Sequence, residues 1–362
     1  MKILLNGATG GTNFGDFLFA KIFQEVVAEK VGLENVFWYE SRYCLSDFYK
    51  EHLHYDQNKK YKLKDIDALI CISGGYFCGD DHSLRDYIIR YLRYFHLCLK
   101  CIVRKIPIAI IGVEVAKPKL KLMEWIEKYI LKKADLLIVR NNESYQQLLR
   151  YGIQNGICTV DTAHTITPEL YENIDVDEKI KTMNGKKLFV HVQLSSIQSS
   201  EKILPVLNEF LRKHSEYSVV IGLDQYVNDV VKLYEFSDKI VCSNKVVYRY
   251  QNPIALCKVL SLMDLIVTPK LHVGIVGATM SKSVISFSNH TEKISRFYAQ
   301  LNESERSLSM ANYDDKVALQ ILETYFDKPI YVPQEIIEKS FQNLDYLNKF
   351  IDRVSCGSKD SL

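Results

Sequence analysis

Lys270 and His272 place a cation and a titratable imidazole two residues apart in VTPKLHVGIVGATMSKSVISFSNHTEK, residues 267–293. The run from Asp264 to Val267 has strand character, and if the chain stays extended beyond it the two side chains share a face. GIVGATM reads as a tightly packed helix of small residues. His272 then sits at or near its N-terminus, where unpaired backbone N–H groups attract anions. SVISFSN is a second short strand, and Lys293 falls in the helix-like segment after it. The chemistry this suggests is a positive trap for an anionic small molecule. An equally simple account is a strand-helix-strand packing unit with solvated charges at its ends.

Other polar residues recur where apolar runs stop. KILLNG is a strand, followed by the glycine-rich ATGGTNFGD and an amphipathic helix, with Asn13 and Asp16 at the junction and Asp16 a cap or first-turn residue. The spacing of Gly7, Gly10, Gly11 and Gly15 is an imperfect GxGxxG, a weak sign of dinucleotide binding, and VFWYE would be the next strand, with Glu40 at its end. ALICISGGYF runs into Gly74 and Gly75, where backbone and ligand can come close. LLIVR ends in Arg140, suited to bidentate grip of phosphate or carboxylate, or to a salt bridge with Glu143 or another first-turn acid. ICTVDTAH leaves Asp161 and His164 at a strand end, and His191 lies inside LFVHVQLS, a core histidine unless it faces the cleft. Asp80, Asp81 and His82 invite a metal, but aspartates before a helix are ordinarily caps. Cys98 and Cys101 form a CxxC without a second pair, and Tyr129 and Lys133 form a YxxxK without the upstream serine of a reductase.

Strands alternating with helices throughout imply an α/β protein with parallel sheets covered on both faces, in which ligands bind beyond the carboxyl ends of strands. A chain of 362 residues exceeds one core. We expect two Rossmann-like domains, 1–175 and 176–330, a C-terminal helix and polar tail over 331–362, and a site in the cleft between the halves. Lysine plus arginine (46) nearly balances aspartate plus glutamate (44), so the net charge of +2 gives no reason to expect a nucleic-acid partner. No signal peptide or membrane-length apolar run is present, and nine scattered cysteines suit reduced thiols, so a cytoplasmic protein is expected. The basic, aromatic segment 83–105 either packs with its cationic stems over apolar surface or rests peripherally on an anionic membrane.

Taken in order, GGTNFGDFLFAKIF, SGG, VRNNESYQQLLRYG, the DTA turn and TPKLHVGIVGATMSKSVISFSNHTEKISRFYAQL resemble the polysaccharide pyruvyl transferase family over most of residues 3–303. The resemblance implies a GT-B-like fold and transfer of a pyruvyl unit from phosphoenolpyruvate to a sugar, such as galactose, as a ketal. The acceptor would be a cell-surface polysaccharide or its lipid-linked precursor. Lys270 stands where the family usually has arginine, and Thr162 where the DTA turn usually has proline. The implied donor-binding residues are Lys270, Arg140, Lys293, Gly74 and Gly75, and the C-terminal domain would be the donor side. Asn13 and His191 would serve the acceptor, whose side is the N-terminal domain. His272 would be the acid, with Asp16 or His164 as base, and neither metal nor redox cofactor is required. Three competing functions remain: a GT-B-type glycosyltransferase using a nucleotide-sugar, a non-catalytic scaffold of a polysaccharide assembly complex, and a nicotinamide-dependent reductase.

Overall fold

The computed structural model describes residues 1–39, 47–53, 60–78, 83–289 and 291–357. Glu40, Asp80, Asp81, His82 and the end of the polar tail lie outside the described residues. The chain divides into two compact units: Met1–Thr12, Asp16–Thr165 and Glu335–Leu362 form the first, and Asn13–Gly15 with Ile166–Gln334 form the second.

In the first unit the strands β1 (Ile3–Asn6), β2 (Val36–Trp38), β3 (Ala68–Cys71), β4 (Gly74–Phe77), β5 (Ile108–Val115), β6 (Leu136–Val139) and β7 (Ile157–Cys158) are all parallel. Their order is β2-β1-β3-β5-β6-β7, with β4 beside β5. All eight residues of β5 are buried. Burial on both faces is why these strands read as unbroken apolar runs rather than as alternating ones. Gly74 and Gly75, expected as a ligand-facing turn, instead open β4, because the chain re-enters the sheet after Ser73. The segment 83–105 is a continuous helix with a π-helical turn inside it: Leu84–Arg90, Tyr91–Phe95 and His96–Arg104. Ser83 caps it in a capping box with Asp86. Arg90 is no surface cation there: its guanidinium is buried, 3.0 Å from Glu127. Cys98 and Cys101 are both buried thiols, and the sulfur of Cys98 lies 3.7 Å from that of Cys71.

The second unit has six parallel strands, β8 (Lys186–His191), β9 (Tyr217–Gly222), β10 (Lys245–Tyr248), β11 (Leu265–Thr268), β12 (Ser283–Ser288) and β13 (Ser307–Ser309), in the order β10-β9-β8-β11-β12-β13. From β8 the chain winds outward to β10, then returns to start again at β11 on the other side. The gap between β8 and β11 is therefore the switch point of a doubly wound sheet. Residues 239–243 form no strand, and the edge strand forms from the β-branched run that follows, Lys245–Tyr248.

The division departs from the sequence expectation at both ends. The boundary falls after Thr165 rather than near 175, and the C-terminal helix Gln334–Ser355 is part of the first unit rather than a separate tail. Hydrogen bonding explains the second point. Asn343, fully buried, donates to the Val160 carbonyl (3.1 Å) and accepts from the Thr159 hydroxyl (2.8 Å), while Ser340 donates to the Asp161 carbonyl (2.8 Å). These side chains satisfy backbone and hydroxyl groups that a bare strand end would leave buried and unpaired.

Asn343→Ala should therefore cost about 2 kcal/mol, the order expected when buried partners lose their hydrogen bonds. Urea denaturation is the check; a midpoint within error of the parent would mean that the helix is only draped over the unit.

Candidate functional site

The polar groups that the second unit gathers at its switch point surround Asp224, an acid two residues beyond β9. His191 ends β8 and is 1% exposed. Its Nδ1 is 2.7 Å from Thr268 Oγ1 and its Nε2 is 3.2 Å from Asp224 Oδ1. Thr268, the last residue of β11, also accepts the Lys270 backbone N–H (3.1 Å). Burial alone would raise the Asp224 carboxyl, but the charges of His191 and then Lys270, with a hydrogen bond from His191, bring it below the ordinary carboxylate range. The carboxylate is thus held ionised inside the fold.

Lys270 is extended (φ −118°, ψ 138°) and caps the helix Leu271–Thr279, whose second residue is His272. The helix begins three residues before GIVGATM, at Leu271 rather than Gly274. Lys270 and His272 consequently do not share a face of an extended chain; they flank a helix N-terminus, whose free N–H groups favour an anion. Small residues bring this helix onto its sheet: a Cβ on Gly277 would lie 2.7 Å from Ile266 Cδ1 and 3.0 Å from Val284 Cγ2. Lys293 lies half-buried in the first turn of the helix Thr291–Gln300.

The glycine-rich N-terminal loop reaches this unit through residues 13–15. Phe14 N–H donates to the Asp224 carbonyl (2.7 Å), and Asn13 bridges antiparallel to Gln225. Gly15 packs so closely on the His272 ring that an added Cβ would sit 1.9 Å from Nδ1. Only a residue without a side chain admits that approach. Asn13, expected at the acceptor, acts locally, since its side-chain oxygen accepts the Gly15 N–H (2.9 Å) at the start of the helix Phe14–Val31. Asp16 falls in the first turn of that helix, and its carboxylate is close enough to Tyr76 to act on it electrostatically. A shallow hollow borders His191, Thr268 and Pro269, with Ser199 and Asn289 on its rim, the latter two hydrogen-bonded at 3.0 Å.

The first unit gathers a different set. Arg140 is buried, with one guanidinium nitrogen 2.6 Å from Glu114 Oε2 and another 3.0 Å from Asp161 Oδ2. Burial opposes its charge, but Asp161 and Glu114 outweigh that, so it stays firmly protonated. The partner is not Glu143, as the sequence suggested, and a guanidinium already answered by two carboxylates is not an open cation for a donor. His164 is buried in the turn Thr162–Thr165. Burial lowers its pKa to about 4 despite Asp161, which makes it a poor base near neutrality. Thr162 hydrogen-bonds Ser73 at 2.7 Å. Lys270, His272, Lys293, Asn13 and His191 thus belong to the second unit, and Asp16, Gly74, Gly75, Arg140 and His164 to the first. Sequence inspection passed over Asp224, although the same strand-end rule that picked Arg140 applies to it.

The family model for polysaccharide pyruvyl transferase matches residues 13–291. Among curated proteins no significant match was found. Solved structures resemble the fold at low identity. The UDP-GlcNAc 2-epimerase of Neisseria meningitidis, bound to UDP-GlcNAc, has a TM-score of 0.65 at 14% identity, covering 96% of this chain and 100% of its own. That of Methanocaldococcus jannaschii, with UDP-GlcNAc and UDP, has 0.57 at 11% over 96% and 100%. That of Rickettsia bellii has 0.59 at 12% over 99% and 96%. At such identities the likeness establishes a GT-B-like fold of two parallel-sheet units, with no inference to activity.

Two measurements test this geometry. Gly15→Ala should leave the fold intact but push the His272 ring aside, at a cost of about 1 kcal/mol for overpacking. Imidazole resonances read by NMR should move, and unchanged His272 signals would mean that the contact is slack. For His164 the unfolded chain takes up the proton near pH 6.5 and the folded chain only near 4, so stability declines as pH falls through that window, by about 2 kcal/mol between pH 7 and 5. Asp224, whose folded pKa is depressed, gives up its contribution only at lower pH, as its carboxylate protonates. His164→Gln should narrow the difference in urea midpoint between pH 7 and 5; an undiminished difference assigns the acid sensitivity elsewhere.

Proposed function

Because the chain belongs to the polysaccharide pyruvyl transferase family, we propose that it transfers a pyruvyl unit from phosphoenolpyruvate to a saccharide as a cyclic ketal. The observation that carries this reading is the pairing of Lys270 with His272 at the N-terminus of the helix Leu271–Thr279, beside the buried Asp224. Phosphoenolpyruvate carries a phosphate and a carboxylate. Lys270, the helix N-terminus and Lys293 supply the opposing charge, while Arg140 is left to its structural role. Lysine in place of the family's usual arginine keeps the charge but gives up the planar fork. Donor contact with Lys270 therefore rests on attraction more than on paired hydrogen bonds.

In the proposed reaction a proton is delivered to the methylene carbon, and cationic character develops at the neighbouring carbon. A sugar hydroxyl attacks there, the carbon–phosphate oxygen bond breaks, and a second hydroxyl closes the ring. Of the two hydroxyl protons, one is balanced by the new methyl group and the other by the departing phosphate, with no change of redox state. His272 is the acid and steadies the leaving phosphate. Of the two bases considered, Asp16 is taken forward because it is half-buried in the first turn of its helix, whereas His164 is buried in the turn Thr162–Thr165. His191 positions Asp224 rather than touching the acceptor, because both its nitrogens are engaged. The acceptor is a saccharide of a cell-surface polysaccharide or its lipid-linked precursor, and phosphoenolpyruvate, a metabolite of the cytoplasm, sets the reaction there.

Purified protein given phosphoenolpyruvate and a galactose-containing glycan should release phosphate and raise the glycan's mass by one pyruvyl ketal. His272→Ala should lose about a hundredfold or more in kcat, the scale of a general acid, and Lys270→Ala should mainly raise KM for phosphoenolpyruvate. Unchanged turnover in His272→Ala removes it from the mechanism. Calorimetric binding of a nucleotide-sugar with none of phosphoenolpyruvate would replace the reading with glycosyl transfer.

A further inference from the structure

The helix Lys121–Lys133 turns toward solvent the kind of surface that soluble folds normally bury. Its inward side carries Met123, Ile126, Ile130 and Leu131, with Glu127 in its buried pair with Arg90. Its outward side carries Leu122, Trp125 and Tyr129, at i, i+3 and i+7, which are 61%, 63% and 37% exposed. Trp125 and Tyr129 stack with ring centroids 5.9 Å apart and planes within 11°. The protein has two tryptophans, and the other, Trp38, is 3% exposed.

The charges around this stripe are of one sign. Lys121, Lys132 and Lys133 are exposed and Lys128 is half-buried on the same arc. The helix's acids are elsewhere: Glu127 is interior, and Glu124, outside the arc, lies 3.7 Å from Lys117. In a chain of net charge +2 this is a local concentration of cations around an exposed aromatic ridge. An exposed apolar patch of this kind marks a contact surface. Tryptophan and tyrosine favour the boundary between water and hydrocarbon, and flanking lysines favour an anionic headgroup layer. Among the described residues no helix is long and apolar enough to cross a membrane, and contact of this type is peripheral.

We propose that the face formed by Leu122, Trp125, Tyr129 and Lys121, Lys128, Lys132 and Lys133 docks the protein on an anionic lipid bilayer. The sequence offered the segment 83–105 as one possible membrane contact; the face proposed here lies on the next helix. Charge complementarity selects the occupant: a second copy of this chain would set lysines against lysines. The inference does not depend on the catalytic reading, since no substrate takes part.

The test uses the full chain with vesicles of pure phosphatidylcholine and vesicles containing phosphatidylglycerol, by co-sedimentation and tryptophan emission. Binding to the anionic vesicles only is expected, with a blue shift that vanishes in Trp125→Phe while Trp38 stays unchanged. Each lysine replaced by glutamine should weaken partition about fivefold, the effect of roughly 1 kcal/mol per charge at a membrane surface. Trp125→Ala should keep phosphate release on a soluble glycan while losing vesicle binding. Failure to bind anionic vesicles overturns the proposal, as does equal binding to neutral ones. A concentration-dependent dimer whose Trp125 emission is already blue without lipid would also overturn it, by showing a protein to be the occupant.

Discussion

A carboxylate buried at the end of a strand must be paid for in charge or hydrogen bonds, and Asp224 draws these from His191 and Lys270 while its backbone carbonyl accepts the Phe14 N–H. His191 comes from β8, Lys270 from beyond β11, and the backbone of Phe14 from the N-terminal loop. None is near another in sequence. Their convergence fixes the turn between β11 and its helix, and the turn sets where His272 and Lys270 stand. The helix N-terminus adds its own partial charge at the same point.

Gly15 is the other half of the same constraint. With Phe14 held by Asp224 and Asn13 paired to Gln225, the loop presses its backbone onto the imidazole of His272. The ring's position is therefore decided by a residue more than 250 positions away that contributes no side chain. Loops that carry chemistry commonly gain precision this way, from close packing of backbone rather than from added contacts.

The first unit applies similar physics to a different end. Arg140, Glu114 and Asp161 neutralise one another inside the core, where breaking one partner would strand a charge. Asp161 also accepts the Ala163 N–H through its side chain and the Ser340 hydroxyl through its carbonyl, which ties the DTA turn to the C-terminal helix. An arginine at a strand end is thus a binding residue or a structural one according to whether acids reach it first. On the outer side of the same unit, the helix Lys121–Lys133 shows the opposite balance, with cations that no acid of its own arc answers and an aromatic pair left in water.

The sequence by itself determined the architecture, because alternation of apolar runs with helical periodicity is a local property and parallel strands buried on both faces leave an unmistakable record in β5, β11 and β12. It also determined that a helix of small residues follows β11 with His272 at or near its start, since small residues and a preceding strand are read over a dozen positions, whereas the structure made Lys270 its cap. Which polar residues are committed and which are open was decided only in three dimensions. Glu114 lies 26 residues from Arg140 and Asp224 lies 33 from His191, and no local pattern pairs them. The C-terminal helix looked like a tail for the same reason: its partners, Thr159 to Asp161, are some 180 residues away. Periodicity is written along the chain, whereas the pairing of buried charges depends on distances that exist only once the sheets have closed.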